Sequence, residues 1–278
     1  MLKTRIITAI ILVAIFIPAL FILNNISWAY CMLAICLFAL YEWGGMINLN
    51  AWQNKLYLGI ATVAGLLAVR FLQQFGFHLF FFKSLLLFVM VSIFWLFLVP
   101  ILFKTKYMIN NKACMATLGL LLIASLWLAL ICAKGADPWL LLVLLSTIWI
   151  ADSAAYFAGK KFGKHKLAPT ISPGKTWEGV AGALIAVTVF AAVLYFVKSE
   201  SSLGFNQPAI FPALWIIAGL GVVGDLFESM MKRRANLKDS GDLLPGHGGV
   251  LDRIDGIIPS LPIGLLMIYT YHYFSSVV

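Results

Sequence analysis

Long apolar runs decide what this chain can become. A helix needs about 20 mostly apolar residues to cross the hydrocarbon core of a bilayer. Runs near that length fill residues 6–23, 28–47, 56–76, 79–103, 113–133, 139–157, 176–197, 209–224 and 256–274. Only Gln73, Gln74, Gly76 and His78 separate the third run from the fourth. Arg70 falls inside the third, near an end from which a long side chain can snorkel to water. The pattern predicts an all-α, polytopic integral membrane protein of about nine transmembrane helices. A soluble domain carries about 25% charged residues; here the share is 11%, with a mean hydropathy of +0.97, which excludes a water-soluble globule.

Sidedness follows from Lys and Arg, which concentrate in short cytoplasmic loops. With a cytoplasmic N-terminus (Lys3, Arg5), the inner loops hold Lys55; Lys104, Lys106 and Lys112; Lys160, Lys161, Lys164, Lys166 and Lys175; and Lys232, Arg233, Arg234, Lys238 and Arg253. Only Arg70, Lys83, Lys134 and Lys198 remain for the other side. The net charge of +9 is mostly this topology signal, so no nucleic-acid partner is expected. Residues 1–23 have the charged start and apolar run of a secretory signal, yet no small-residue cleavage pattern precedes Asn24 and Asn25, so they read as a retained anchor. Cys31, Cys36, Cys114 and Cys132 all lie in apolar runs at spacings that fit no thiolate metal motif. The chain divides into 1–137, about five spans, and 138–278, a transmembrane region with cytoplasmic loops 158–176 and 225–255.

Charge gathers in two windows on the inner side. Residues 225–255 hold six acidic and five basic side chains, and each charge at the bilayer centre would cost about 2.5–3.5 kcal/mol. That stretch must meet water or fill a polar cavity. A topology-setting loop needs only the cations. Carboxylates beside lysines and arginines are what a divalent metal and a polyphosphate require, since Mg²⁺ takes one or two carboxylates plus substrate phosphates. Asp252 and Asp255, three residues apart, share a face on a helical turn, and Asp225 at the end of the eighth span completes the set from the other side of the loop. Pro245-Gly246-His247-Gly248-Gly249 cannot lie within a helix, and its glycines let backbone N–H groups approach an anion.

In the first window, Ser172-Pro173-Gly174-Lys175-Thr176-Trp177-Glu178 precedes the seventh span. Ser172 and Thr176 are candidate caps, which would leave a helix N-terminus and Lys175 facing a phosphate. Asp152, at the end of the sixth span, is a candidate functional carboxylate by its depth. Other matches carry less. Gly219-Leu220-Gly221-Val222-Val223-Gly224 has dinucleotide-type glycine spacing but ends an apolar span, where close helix packing explains it. Gly174-Lys175-Thr176 lacks the earlier glycine of a P-loop, that position being Pro169. His78, His165, His247 and His272 are scattered, with no zinc spacing. Glu42, beside Trp43 and Gly44-Gly45 at the inner end of the second span, acquires no role from sequence.

The run from Ser229 through Lys232-Arg233, Lys238-Asp239, Gly241, Pro245, His247-Gly248-Gly249 and Asp252-Arg253-Ile254-Asp255 resembles the signature of the phosphatidate cytidylyltransferase (CDP-diacylglycerol synthase) family. Asp152-Ser153-Ala154-Ala155-Tyr156, Gly159 and Ser172 to Gly179 are similar to it as well, with Gly174 where Lys is common. The likeness covers about the last half of the chain; the first 150 residues match only as apolar spans. It implies transfer of a cytidylyl group from CTP to phosphatidic acid, with Mg²⁺ and room for a second cation, among membrane lipids; the compact length and lack of a targeting extension point to a prokaryotic cytoplasmic membrane. A homodimer is left open. On this resemblance Asp225, Asp252 and Asp255 hold metal, with Asp239 supplementing them. Lys232, Lys238, Arg233 and Arg253 meet phosphates, and His247, Gly248 and Gly249 the leaving pyrophosphate. Asp152, Ser172, Lys175, Thr176, Glu178 and Ser229 contact substrate. The rivals are a CTP-dependent polyprenol or phytol kinase and a cation-coupled transporter. The latter would place Asp152, Asp225 and Asp252 along an ion path near the midplane.

Overall fold

The computed structural model describes residues 2–105, 110–196, 207–243 and 248–277, apart from the side chains of 2–9, 12 and 272–277. The helices are α1 (Leu2–Ile22), α2 (Asn25–Met46), α3 (Ala51–Ile93), α4 (Val99–Thr105), α5 (Lys112–Ala136), α6 (Pro138–Phe162), α7 (Trp177–Phe196), α8 (Ile210–Arg234), α9 (Leu251–Ile254) and α10 (Ile257–Val277). A π-helical turn, Phe94–Leu98, joins α3 to α4. The expected polytopic helical protein is what forms. Among the described residues seven helical stretches are long and apolar enough to cross a membrane: Asn25–Met46, Ala51–Thr105, Lys112–Ala136, Pro138–Phe162, Trp177–Phe196, Ile210–Arg234 and Leu251–Tyr271.

Short polar residues start the helices. Asn24 accepts from Ser27 N–H, Asn50 and Gln53 form a reciprocal capping box, Asn111 accepts from the N–H groups of Ala113 and Cys114, and Asp137 both ends α5 and caps α6 ahead of Pro138. The third and fourth apolar runs fall within one continuous stretch, Ala51–Thr105, which is two helices joined at a kink, as expected. At 55 residues it would extend about 80 Å if straight, far beyond a bilayer. Gly76, at φ 78° and ψ 173°, breaks it where the sequence placed its weakest cut. Only glycine takes that conformation without strain.

Three differences bear on the site. Helix α8 runs ten residues past Gly224 to Arg234, so Asp225, Glu228, Ser229, Lys232 and Arg233 are helical and the loop expected at 225–255 is reduced to the segment between α8 and α9. Spacings of three, four, seven and eight residues from Asp225 put those polar groups along one side of the helix, which lets it continue out of the apolar region. Likewise α6 runs to Phe162, shortening the expected 158–176 loop. The rest of that loop is not a bare cap. It is an antiparallel ribbon of β1 (Lys166–Ala168) and β2 (Ser172–Thr176), pairing Lys166 with Thr176 and Ala168 with Ser172.

Helix α10 lies at the centre, packed on α8, α5, α3 and α6, while α6 and α7 form the closest helix pair. Fully buried indoles tie α2 to α5: Trp28 donates to Leu130 O, Trp127 to Ala29 O and Trp43 to Met115 O. A buried indole needs an acceptor, and spare carbonyl lone pairs on the facing helix supply one. Residue numbers rise along α2 as they fall along α5, so the two are antiparallel. Helices α8 and α10 touch through glycine. A Cβ on Gly224 would stand 2.3 Å from Asp255 O and 2.9 Å from Pro259 Cγ, so close packing accounts for this glycine of the run, whereas one on Gly219 would meet nothing within 4 Å. Lys134 donates to Leu23 O and to Asn25 at one end of the bundle. At the other, Lys112 donates to Asn48 O and Arg234 to Asn110. The segments expected to share one membrane face do meet at one end.

Candidate active site

The C-terminal turns of α8 supply the first charged face. Asp225 Oδ2 lies 2.6 Å from Lys175 Nζ of β2, and Ser229, one turn on, donates to Asp225 Oδ1 at 3.2 Å. One turn further, Lys232 Nζ stands 2.5 Å from both Glu228 Oε2 and Asp252 Oδ1. Glu228 is only 3% exposed. Lys232 is the cation that meets this buried acid. Beside it Phe227 packs against Trp43, Phe94 and Trp95, which holds this face of α8 to α2 and to the π-helical turn.

The segment between α8 and α9 is fastened by two carboxylates. Asp252 Oδ2 accepts from Ser240 N–H (2.9 Å), Ser240 Oγ (3.0 Å) and Gly249 N–H (2.8 Å). Glu42, from the end of α2, accepts from Val250 N–H (2.9 Å), Leu251 N–H (2.8 Å) and Ser240 Oγ (3.1 Å). The glycines make room for these oxygens. A Cβ on Gly249 would fall 2.2 Å from Ser240 Oγ and 2.5 Å from Glu42 Oε2; one on Gly248, at φ 78°, would fall 2.7 Å from Asp252 Oδ2. The sequence expected these backbone groups to approach an outside anion, but Gly249 N–H meets the chain's own Asp252.

Asp255 begins the turn into α10, accepts from Gly256 N–H at 2.8 Å, and lies within electrostatic reach of Asp225, Glu228 and Asp152. Asp152 in turn feels Lys175, Asp225 and Arg253. Acids on α6, on α8 and in the turn before α10 thus influence one another, with Lys175 and Arg253 as the cations that Asp152 feels. The upstream window is built for position. Thr176 caps α7 by accepting from Gly179 N–H at 3.1 Å, as expected, whereas Ser172 lies four residues earlier in β2 and pairs with Ala168. Glu178 holds the ribbon down, its Oε1 2.6 Å from His165 Nδ1 and both oxygens accepting from His165 N–H. Arg233, Lys238 and Asp239 are exposed, and His247 falls outside the described residues.

Glu42 and Glu228 are the residues that sequence reasoning left without a role. Each had a signal: an acid inside an apolar stretch is expensive unless something meets it. Among the described residues, no three acidic, histidine or cysteine side chains converge as one metal shell, so Asp225, Asp252 and Asp255 do not stand together as a ready triad. Asp225 and Asp252 each hold a lysine in contact instead. The donor set still suits Mg²⁺, which asks for one or two carboxylate oxygens and takes the rest from phosphate and water.

A multi-pass helical protein whose charged centre sets acids against lysines at the helix ends has the build of a membrane enzyme that handles phosphates. The chain belongs to the cytidylyltransferase family, whose sequence profile matches residues 3–271, and it is a nucleotidyltransferase. It is 33% identical to the phosphatidate cytidylyltransferase of Haemophilus influenzae over 296 aligned positions, 99% of each chain. The enzyme of the same name from Pseudomonas aeruginosa is 34% identical over 273 positions (95% of each chain). That of Staphylococcus aureus strain COL is 32% identical over 274, spanning 94% of this chain and 96% of the relative.

Proposed function

We propose that this protein joins CTP to phosphatidic acid, giving CDP-diacylglycerol and pyrophosphate for phospholipid synthesis. The observation that carries the reading is the pair of lysine–carboxylate contacts, Lys175 with Asp225 and Lys232 with Asp252, at the charged end of a membrane bundle. A phosphate oxygen of the lipid attacks the α-phosphorus of CTP in line, and pyrophosphate leaves. The attacking oxygen is already ionised near neutral pH, so no general base is needed, and catalysis is positioning plus neutralisation of charge.

In this reading Asp225 and Asp252 would hold Mg²⁺, with Asp255 supplementing them. The ion would supply charge neutralisation at the phosphates. Lys175 and Lys232 turn from their carboxylates to substrate phosphates when these arrive. Arg253, Arg233 and Lys238 add positive charge, and Asp239 supplements the acids. The ribbon of β1 and β2, pinned through Glu178 and His165, presents Lys175 from above the membrane surface. Acyl chains stay in the bilayer. Gly76 divides Ala51–Thr105 into two passes and α1 adds another, giving about nine spans with a cytoplasmic N-terminus and the site on the cytoplasmic face of a bacterial membrane. The catalytic residues fall in 138–278.

The test is purified protein with CTP, phosphatidic acid and Mg²⁺, assayed for both pyrophosphate and CDP-lipid. A lipid kinase would transfer phosphate without cytidine. A cation transporter would show flux in liposomes that does not depend on CTP.

A further inference from the structure

Glu42 lies about 200 residues in sequence from the segment it binds, in the half of the chain that carries no catalytic motif. It is 6% exposed, and among the described residues no lysine, arginine or histidine forms an ion pair with it. Its charge is met instead by donors of one segment: the N–H groups of Val250 and Leu251 and the hydroxyl of Ser240. Hydrogen bonds to a buried charge are the strong kind, and an unmet buried donor is costly. A second observation concerns fit. A Cβ on Gly241 would stand 2.6 Å from Glu42 Oε1, and one on Gly249 2.5 Å from Oε2. Two glycines of the segment leave the space this carboxylate fills.

Ser240 carries the effect inward. Its Oγ is 3.1 Å from Glu42 Oε2 and 3.0 Å from Asp252 Oδ2, and its one proton can serve either oxygen. Asp252 in turn holds Lys232 and Gly249 N–H. We propose that Glu42 is a positioning residue for the nucleotide side of the reaction. From the second helix it fixes the backbone around Gly249 to Leu251, and with it Asp252 and Lys232, in the arrangement that receives the phosphates of CTP. Resting on the reading above, it adds that the N-terminal half enters the site through one carboxylate. Glutamine at this position would turn an amide N–H₂ toward backbone N–H groups, breaking at least one bond with no change in size.

The experiment compares wild type, Glu42→Gln and Ser240→Ala in lipid nanodiscs. KM is measured separately for CTP and for phosphatidic acid, and hydrogen–deuterium exchange is followed over residues 248–252. Glu42→Gln is expected to raise the KM for CTP about tenfold, leave that for phosphatidic acid within about twofold, and speed exchange at 249–251. Ser240→Ala, which removes one donor and leaves the carboxylate, gives a smaller change of the same kind and carries the test should Glu42→Gln fail to fold. A proportional rise in both KM values, an unchanged KM for CTP, or unchanged exchange would each overturn the proposal. Wild-type protein that makes no CDP-lipid would overturn the reaction assigned above and leave the exchange comparison intact as the readout of the clamp.

Discussion

Lys175 reaches from the ribbon between α6 and α7 to Asp225 on α8, bringing its Nζ within 2.6 Å of Oδ2. Two segments 50 residues apart in sequence meet there, and the contact is neither fully buried nor free: the side chains keep 22% and 35% of their exposure. Partly exposed ion pairs add little stability, about 0–1 kcal/mol. A lysine so placed can be spent on substrate.

Replacing Lys175 by alanine should therefore leave the amount of folded protein unchanged and raise the KM for CTP or phosphatidic acid about tenfold. Steady-state kinetics set against detergent-extracted yield decide it. Unaltered kinetics would return this lysine to the topology signal.

Asp252→Asn keeps the shape of the side chain but removes the charge that Lys232 and any bound magnesium need. CDP-lipid formation should fall by at least about 100-fold while membrane insertion survives. Radiolabelled CTP incorporation into lipid, with fractionation of the membranes, checks both halves.

Lys232→Met should lower stability by about 1–3 kcal/mol, because the buried acids Glu228 and Asp252 both lose the cation they share. Glu228→Gln made in the same chain removes one of the two acids and should recover part of the loss without restoring activity. Thermal unfolding in detergent of the single and double variants measures the coupling.

Gly224→Ala places a methyl 2.3 Å from Asp255 O and must push α8 from α10, whereas Gly219→Ala meets nothing within 4 Å. The first should cost about 1–3 kcal/mol and most of the activity, the second almost nothing. The pair separates helix contact from the general cost of changing a glycine.

Chelation of divalent cations should abolish turnover and added Mg²⁺ restore it, with helical circular dichroism unchanged throughout. The two lysine contacts keep the acids compensated when no metal is bound.

Hydropathy made the bundle legible because spanning a bilayer is a demand on consecutive residues. Asp225, Lys175 and the segment ending at Asp255 were legible too, since so many charges in so apolar a chain need a common purpose. The β ribbon was not. Ser172-Pro173-Gly174-Lys175-Thr176 has little of the β-branched alternation that marks strands, and its pairing depends on the turn that folds it back. Nor was the length of α8, because its apolar run stops at Gly224 while its polar face carries on to Arg234. Glu42 was hidden for a different reason: nothing near it in sequence announces donors at Ser240, Val250 and Leu251.

That separation has a bearing on how the protein is made. Glu42 is synthesised about 200 residues before its hydrogen-bond donors Ser240, Val250 and Leu251, so a long stretch of chain must leave the ribosome before this acid is satisfied. A chain cut short before Ser240 would lack all three donors, and the carboxylate on the second helix would be left without them.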